Sequence, residues 1–213
     1  MSKRILIADD HLLLQEGLSR LLADEYEIVG TAQNGRDLLA LAERLQPDLI
    51  VIDIAMPELN GIEAARRLSK TLPSIKLVFV TQSIDPAYIH AAFAAGAMGY
   101  VAKQSASTEL VTAIHHALQG QYYVTPLAGR EAVQFTRIRP KANPTQMFGA
   151  GLTPRQREVL QLVAEGKSSR EISAALNISV KTVEFHRNCL MDELGIHSIA
   201  ELTRYAMLCG IIT

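Results

Sequence analysis

The chain has 213 residues, 48% apolar and 5% aromatic with no Trp, and its 21 Lys and Arg against 22 Asp and Glu give a net charge of −1. This fits a soluble globular protein of one or two domains and excludes a polycation or an acidic tail. The two cysteines, Cys189 and Cys209, form neither a CxxC pair nor a disulfide framework, so a reducing compartment is expected, with both thiols read as small buried apolar groups.

Met1 to Arg4 lead into only four apolar residues before two aspartates, which is no signal-peptide core, so the cytoplasm is expected. Five short apolar runs then recur: Ile5 to Ala8, Ile28 to Ala32, Leu49 to Ile52, Leu77 to Val80 and Gly99 to Ala102. Each reads as a buried strand. Between them, groups such as Leu14, Leu18, Leu21 and Leu22, or Leu38, Leu41, Ala42 and Leu45, fall on one helical face. Alternating strands and helices with such short crossovers imply a parallel, doubly wound sheet. The charge-free run from Pro86 to Ala102 is too short for a membrane span and reads as helix plus strand. The last helix of this part is expected near Ser107 to Leu118, ending at Gly120.

From Gln121 to Gly151 the periodicity fades among Pro126, Gly129, Pro140, Pro144 and Gly149, with Arg130, Arg137, Arg139 and Lys141 interspersed. We read 1–124 as one domain, 125–149 as a linker and 150–213 as a second, all-helical domain. Three of its helices start with capping boxes, at Thr153 with Gln156, Ser168 with Glu171 and Ser198 with Glu201; Ser179 caps the fourth. Gly166, Gly195 and Gly210 sit where helices should stop. Residues 1–124 carry 10 basic and 14 acidic groups, while the stretch from Ala150 carries 7 of each.

In an open parallel sheet the carboxyl ends of the strands line the ligand crevice. Asp9 and Asp10 follow the first strand, Asp53 the third, and Thr81 and Lys103 the fourth and fifth. Three converging carboxylates ask for a cation, and hard oxygen ligands suit Mg²⁺. With the metal present, Asp53 is the candidate nucleophile towards phosphorus, Lys103 stabilises the transferring phosphoryl group and Thr81 hydrogen-bonds to it.

The segments Ile7 to His11, Asp53 to Gly61, Val80-Thr81 and Gly99 to Lys103 closely resemble the receiver domain of bacterial response regulators. The resemblance implies a flavodoxin-like α/β fold with a five-stranded parallel sheet. It also implies that Asp53 accepts a phosphoryl group from a sensor histidine kinase. Asp10, Asp53 and the backbone carbonyl of Ala55 would hold Mg²⁺, with Asp9 acting through water or from behind. It further implies a switch in which Thr81 moves toward the aspartyl phosphate and Tyr100 turns inward. Gln82 departs from the family, which often has a smaller residue there.

In the second domain, Arg170 to Val183 reads as a short helix, a tight turn and a capped second helix, the helix-turn-helix pattern. Val183, Leu190 and Leu194 would hold the second helix to the bundle, leaving Lys181, Thr182, Glu184, Phe185, Arg187 and Asn188 outward for phosphates and base edges. Leu152 to Leu160, Ile172, Ser179, Lys181 to Val183, His186 and Leu194-Gly195 resemble the LuxR-type output domain. A receiver followed by this domain is the NarL/FixJ arrangement. It implies a transcription regulator that binds paired half-sites of double-stranded DNA as a homodimer and meets RNA polymerase, without a membrane. The final helix, with Leu202, Tyr205, Ala206 and Cys209 on one face, corresponds to the family's dimerising helix, although spacing fits an ordinary core stripe equally well.

Asp192 and Glu193 stand where the family usually carries a lysine, which with the uncharged balance predicts modest non-specific affinity and a shallow salt dependence. Two other readings fit the same residues. A Mg²⁺-dependent phosphohydrolase forming an aspartyl phosphate would need an acid two residues after its nucleophile, where this chain has Ala55. A receiver joined to a protein-interaction bundle would account for Asp192, Glu193 and the zero charge.

Overall fold

Continuous apolar runs form central strands because both faces of a parallel sheet are covered by crossover helices. The computed structural model, which describes residues 2–128 and 151–212, has this arrangement in its first part. The elements there are β1 (Lys3–Ala8), α1 (Leu12–Leu22), β2 (Tyr26–Ala32), α2 (Gly35–Leu45), β3 (Leu49–Ile52), α3 (Gly61–Thr71), β4 (Lys76–Thr81), α4 (Pro86–Ala94), β5 (Gly99–Ala102), α5 (Ala106–Leu118) and β6 (Tyr123–Val124). All strand pairings are parallel, in the order β2-β1-β3-β4-β5-β6. The first five follow the flavodoxin-like order, whose direction of winding reverses between β1 and β3.

One face of the sheet packs Ile5, Ile7, Val51, Val78, Val80 and Val101 against Leu18 and Leu22 of α1 and Leu110, Ile114 and Ala117 of α5. Every residue of β3 and β5 is buried. The expected run from Pro86 to Ala102 is indeed helix followed by strand, and α5 stops at Gly120, whose φ of 77° favours glycine. Among the described residues no helix is long and apolar enough to cross a membrane.

Two features extend the first unit beyond the five-stranded core. The sheet gains a sixth strand, too short at two residues to show an apolar period, which pairs Tyr123 with Gly99 and Val124 with Tyr100. The linker was expected to start at 125, yet Thr125 is fully buried and its amide donates to the Tyr100 carbonyl at 2.8 Å, with a single 3₁₀ turn over Pro126–Ala128 behind it. The remainder of the expected linker, 129–149, lies outside the described residues. The chain divides into two compact units, Met1–Asn143 and Pro144–Thr213.

The second unit contains α6 (Pro154–Ala164), α7 (Ser169–Leu176), α8 (Val180–Leu194) and α9 (Ile199–Leu208) among its described residues. Thr153, Ser168 and Ser198 form the three expected capping boxes, and the Ser179 side chain accepts from the Thr182 amide. These reciprocal bonds satisfy amide groups that a helix start leaves without partners. Asn177 ends α7 and Gly195 ends α8, both in the left-handed region at φ 52° and 63°. The core is aliphatic: Leu152, Val159, Leu160 and Val163 of the α6 region meet Ile172, Leu176, Val183, Leu190, Leu202 and Ala206. The Arg155 guanidinium donates to the Leu176 carbonyl at 2.9 Å, tying α6 to the end of α7.

Candidate functional site

The sheet register brings the first candidate site together. Ala8 lies beside Ile52, and the Asp53 amide donates to the Ala8 carbonyl at 2.8 Å, so the residues that follow β1 and β3 emerge side by side. Thr81 lies beside Ala102, and Lys103 is the next residue on β5's side. Four strand ends thus place Asp9, Asp10, Asp53, Thr81 and Lys103 along one edge, as expected.

Asp9 and Asp53 are almost inaccessible, at 1% and 3% exposure. Lys103 reaches between them, with its Nζ 2.7 Å from Asp9 Oδ2 and 2.8 Å from Asp53 Oδ2. The other Asp53 oxygen accepts from the Ile54 amide at 2.7 Å, and Asp9 Oδ1 accepts from the His11 amide at 2.8 Å. Burial pushes the Asp53 carboxyl above its ordinary range, against the opposing pull of Lys103. Burial opposes the Lys103 ammonium too, but hydrogen bonds to Asp53 and Asp9 outweigh it and raise its pKa. The lysine therefore stays charged between two carboxylates.

Asp10 is exposed and does not cap α1, whose N-cap position is His11. His11 Nδ1 lies 2.7 Å from Asp10 Oδ1 and 3.3 Å from Asp9 Oδ1. One ligand atom each from Asp9, Asp10, His11 and Asp53 falls within 4.8 Å of the others, a spacing that one cation could span. Carboxylate oxygens dominate this set, which fits a hard divalent ion. Ala55, half-buried in the loop after Asp53, offers only backbone.

Residues that sequence reasoning passed over hold this edge in place. Buried Gln15 donates from Nε2 to the carbonyls of Asp9 and Ala32, at 2.5 and 2.6 Å, and so joins the ends of β1 and β2. Gly61, the first residue of α3, sits so close to Asp53 that an added Cβ would lie 1.9 Å from the Asp53 carbonyl oxygen. Asn60 caps α3 by accepting from the Glu63 amide, which fixes the return of the loop. His11 and Gln15 could have been picked from the sequence only through their closeness to the aspartate pair; nothing in their own spacing marks them.

Thr81 is buried at the end of β4, and exposed Gln82 follows it. Tyr100 is completely buried and already points inward, its hydroxyl donating to the Ser83 carbonyl at 2.7 Å. That bond ties β5 to the loop behind Thr81. Burial pushes the Tyr100 phenol well up, so it remains a donor throughout the physiological range.

In the second unit α8 turns Val183 and Leu190 into the core. Lys181, Glu184, Phe185 and Asn188 are exposed, and Thr182 and Arg187 are half-buried. Thr182 Oγ1 lies 2.8 Å from Ser179 Oγ and takes part in the helix cap. Of the two unexpected acids, Glu193 accepts from Gln156 Nε2 at 2.8 Å and so fastens α8 to the α6 capping box, while Asp192 is exposed.

The α9 stripe that fits either a dimerising face or a core face packs into its own unit. Leu202 and Ala206 are fully buried, Cys209 is 4% exposed, and Tyr205 packs against the same cluster. Burial pushes the Tyr205 phenol up to about 12, helped by a hydrogen bond with Cys209. These four side chains are the stripe that holds α9 to its own unit, and the large apolar side chains that α9 exposes are Ile199, Met207 and Leu208. Cys189 is half-buried, and neither cysteine is in a disulfide.

Comparison with known proteins assigns both units. The response regulator receiver domain matches residues 5–115, and the luxR family of bacterial regulatory proteins matches residues 150–206. Transcriptional regulatory protein YdfI of Bacillus subtilis is 33% identical over 99% of this chain and 98% of its own length. A solved structure of the Salmonella typhimurium RcsB response regulator, described for its dynamics in DNA interaction, is 26% identical with a TM-score of 0.62, covering 96% of each chain. An RcsB–DNA complex is 26% identical with a TM-score of 0.58, covering 97% of this chain and 98% of that one. The chain therefore belongs to the two-component response regulators of the LuxR/NarL type, transcription regulators that join a receiver domain to a DNA-binding helix-turn-helix domain.

Proposed function

We propose that Asp53 is the phosphoacceptor and that its phosphorylation controls DNA binding by the second unit. The observation that carries this reading is the pairing of Lys103 with both buried carboxylates at 2.7 and 2.8 Å, a preformed cationic clamp at the end of β5. An Asp53 oxygen attacks phosphorus as the bond to the imidazole nitrogen of a sensor histidine kinase breaks, and the imidazole keeps the electron pair of that bond. Lys103 balances the charge on the phosphoryl oxygens and Thr81 donates a hydrogen bond to them. Hydrolysis by water returns the carboxylate and inorganic phosphate.

Asp10, Asp53 and the Ala55 carbonyl would hold Mg²⁺, with Asp9 behind them orienting Lys103. The ion supplies charge neutralisation for the incoming phosphoryl oxygens. Tyr100 and Thr81 form the switch, since the Tyr100–Ser83 bond links β5 to the loop two residues past Thr81. Catalysis is confined to gain and loss of the phosphoryl group on Asp53. The absence of an acid at Ala55 disfavours turnover of external phosphoesters.

For the second unit, the family match and the outward residues of α8 support binding of paired half-sites in double-stranded DNA by a homodimer in the cytoplasm, with RNA polymerase as the downstream partner. On α9, Ile199, Met207 and Leu208 are the exposed large apolar side chains that a second copy would cover. Incubation with Mg²⁺ and a small-molecule phosphodonor is expected to add one phosphoryl mass to the wild type. Asp53→Asn is expected to add none, and a modified Asn variant would overturn the assigned acceptor.

A further inference from the structure

The DNA-binding reading of the second unit leaves open which bases are read, and the chemistry of one stripe on α8 narrows the answer. Lys181, Glu184, Phe185 and Asn188 recur three, four and seven residues from Lys181, which places them on one side of the helix. All four are exposed, while Val183 and Leu190 face the core. Thr182, which also stands near the helix start, has its hydroxyl engaged by Ser179 at 2.8 Å. Base discrimination therefore falls on the stripe rather than on the cap.

Two members of this stripe are poor phosphate binders. Glu184 carries the charge of the phosphates themselves and is repelled by them unless it finds a donor. Among major-groove edges the donors are cytosine N4 and adenine N6, and the adenine donor stands beside the N7 acceptor, which a second carboxylate oxygen would meet unfavourably. Cytosine is the base that suits a carboxylate. Phe185 is 62% exposed and meets the neighbouring His186 ring edge-on, at 5.7 Å. Single exposed apolar residues are ordinary on protein surfaces. This one stands directly beside Glu184, on a helix that a major groove admits, where the thymine methyl is the apolar group on offer.

We propose that Glu184 and Phe185 are specificity-determining residues, Glu184 accepting from cytosine N4 and Phe185 packing on the methyl of a neighbouring thymine in each half-site. Lys181 and Asn188 flank them and supply donors. The inference rests on the proposed DNA binding and adds the base preference to it.

The test is selection from random duplexes by the full-length protein with beryllium fluoride and Mg²⁺, comparing wild type, Glu184→Gln and Phe185→Ala. Both side chains stand outside the core, and unchanged thermal unfolding checks that the variants fold. Wild-type sites are expected to carry a cytosine next to a thymine. In Glu184→Gln the cytosine preference falls by about tenfold and adenine gains at that one position, because an amide pairs with adenine N6 and N7. Replacing the thymine by deoxyuridine, which lacks only the methyl, weakens wild-type binding by about fourfold, the worth of one buried apolar carbon, and leaves Phe185→Ala indifferent. An unchanged consensus in Glu184→Gln, or an equal deoxyuridine penalty in wild type and Phe185→Ala, overturns the inference while DNA binding stands. Failure of the wild type to retain any duplex overturns the DNA-binding reading itself.

Discussion

Asp9 and Asp53 are sealed in the first unit at 1% and 3% exposure, whereas Lys181, Glu184, Phe185 and Asn188 of the second unit stand in solvent. The first site is built from charges that the fold must desolvate and then compensate, through Lys103, the Ile54 amide and the His11 amide. The second is displayed on a helix whose stability comes from the opposite side, where Val183 and Leu190 meet the core. Function and stability should accordingly be coupled in the first unit and separable in the second. The difference suits the tasks: a phosphoryl group needs a preorganised pocket, while a DNA surface needs side chains that can reach.

The largest expected effect tests separability. Leu190→Ala removes a fully buried side chain and should cost about 2–5 kcal/mol of second-unit stability in denaturant unfolding. Phe185→Ala, five residues earlier on the same helix, should stay within about 0.5 kcal/mol of wild type. Comparable losses would mean that Phe185 is structural and that the contrast between the two faces of α8 is wrong.

A smaller effect tests coupling in the first unit. Gly61→Ala would set a Cβ 1.9 Å from the Asp53 carbonyl oxygen, so the backbone at the phosphoacceptor must shift. We expect a loss of about 1–3 kcal/mol together with slower phosphorylation. A stable variant phosphorylated at the wild-type rate would show that the α3 start does not position Asp53.

The helix caps give the smallest effects and a pH signature. Ser168→Ala should cost about 1 kcal/mol, read by thermal unfolding of the second unit. Hydrogen bonds from Ser168 hold the Glu171 carboxyl below its ordinary range, and the His197 amide does the same first of all for Glu201. Both pKa values are lowered on folding, so the capping contribution is present above the ordinary glutamate pKa and lost as pH falls through the lowered values. Glu171→Gln should flatten part of that acid dependence. If the unfolding midpoint of the Gln variant falls with acid as steeply as that of wild type, the carboxylate has no such role.

Much of the fold was legible because buried parallel strands read as bare apolar runs and each strand end then exposes its polar residue. Asp53 and Lys103, 50 residues apart in sequence, could be paired from topology alone. Other features carry no period to read. β6 has only two residues and owes its place to pairing with Gly99 and Tyr100. His11 and Gln15 act through contacts that depend on how the chain leaves β1. Glu193 looked like a phosphate repellent, yet its partner Gln156 lies 37 residues away in sequence. On α9 the spacing identified the apolar stripe of Leu202, Ala206 and Cys209 but not what covers it, and the core of the same unit does.

The most direct test of phosphorylation-controlled DNA binding uses the purified full chain at near-physiological salt, measuring recovery of genomic DNA fragments with and without beryllium fluoride and Mg²⁺. Wild type should retain shared paired half-sites mainly in the treated sample, and Asp53→Asn should give the same low recovery in both. Equal recovery from treated and untreated wild type, or an Asp53→Asn variant that responds as wild type does, would contradict control through Asp53.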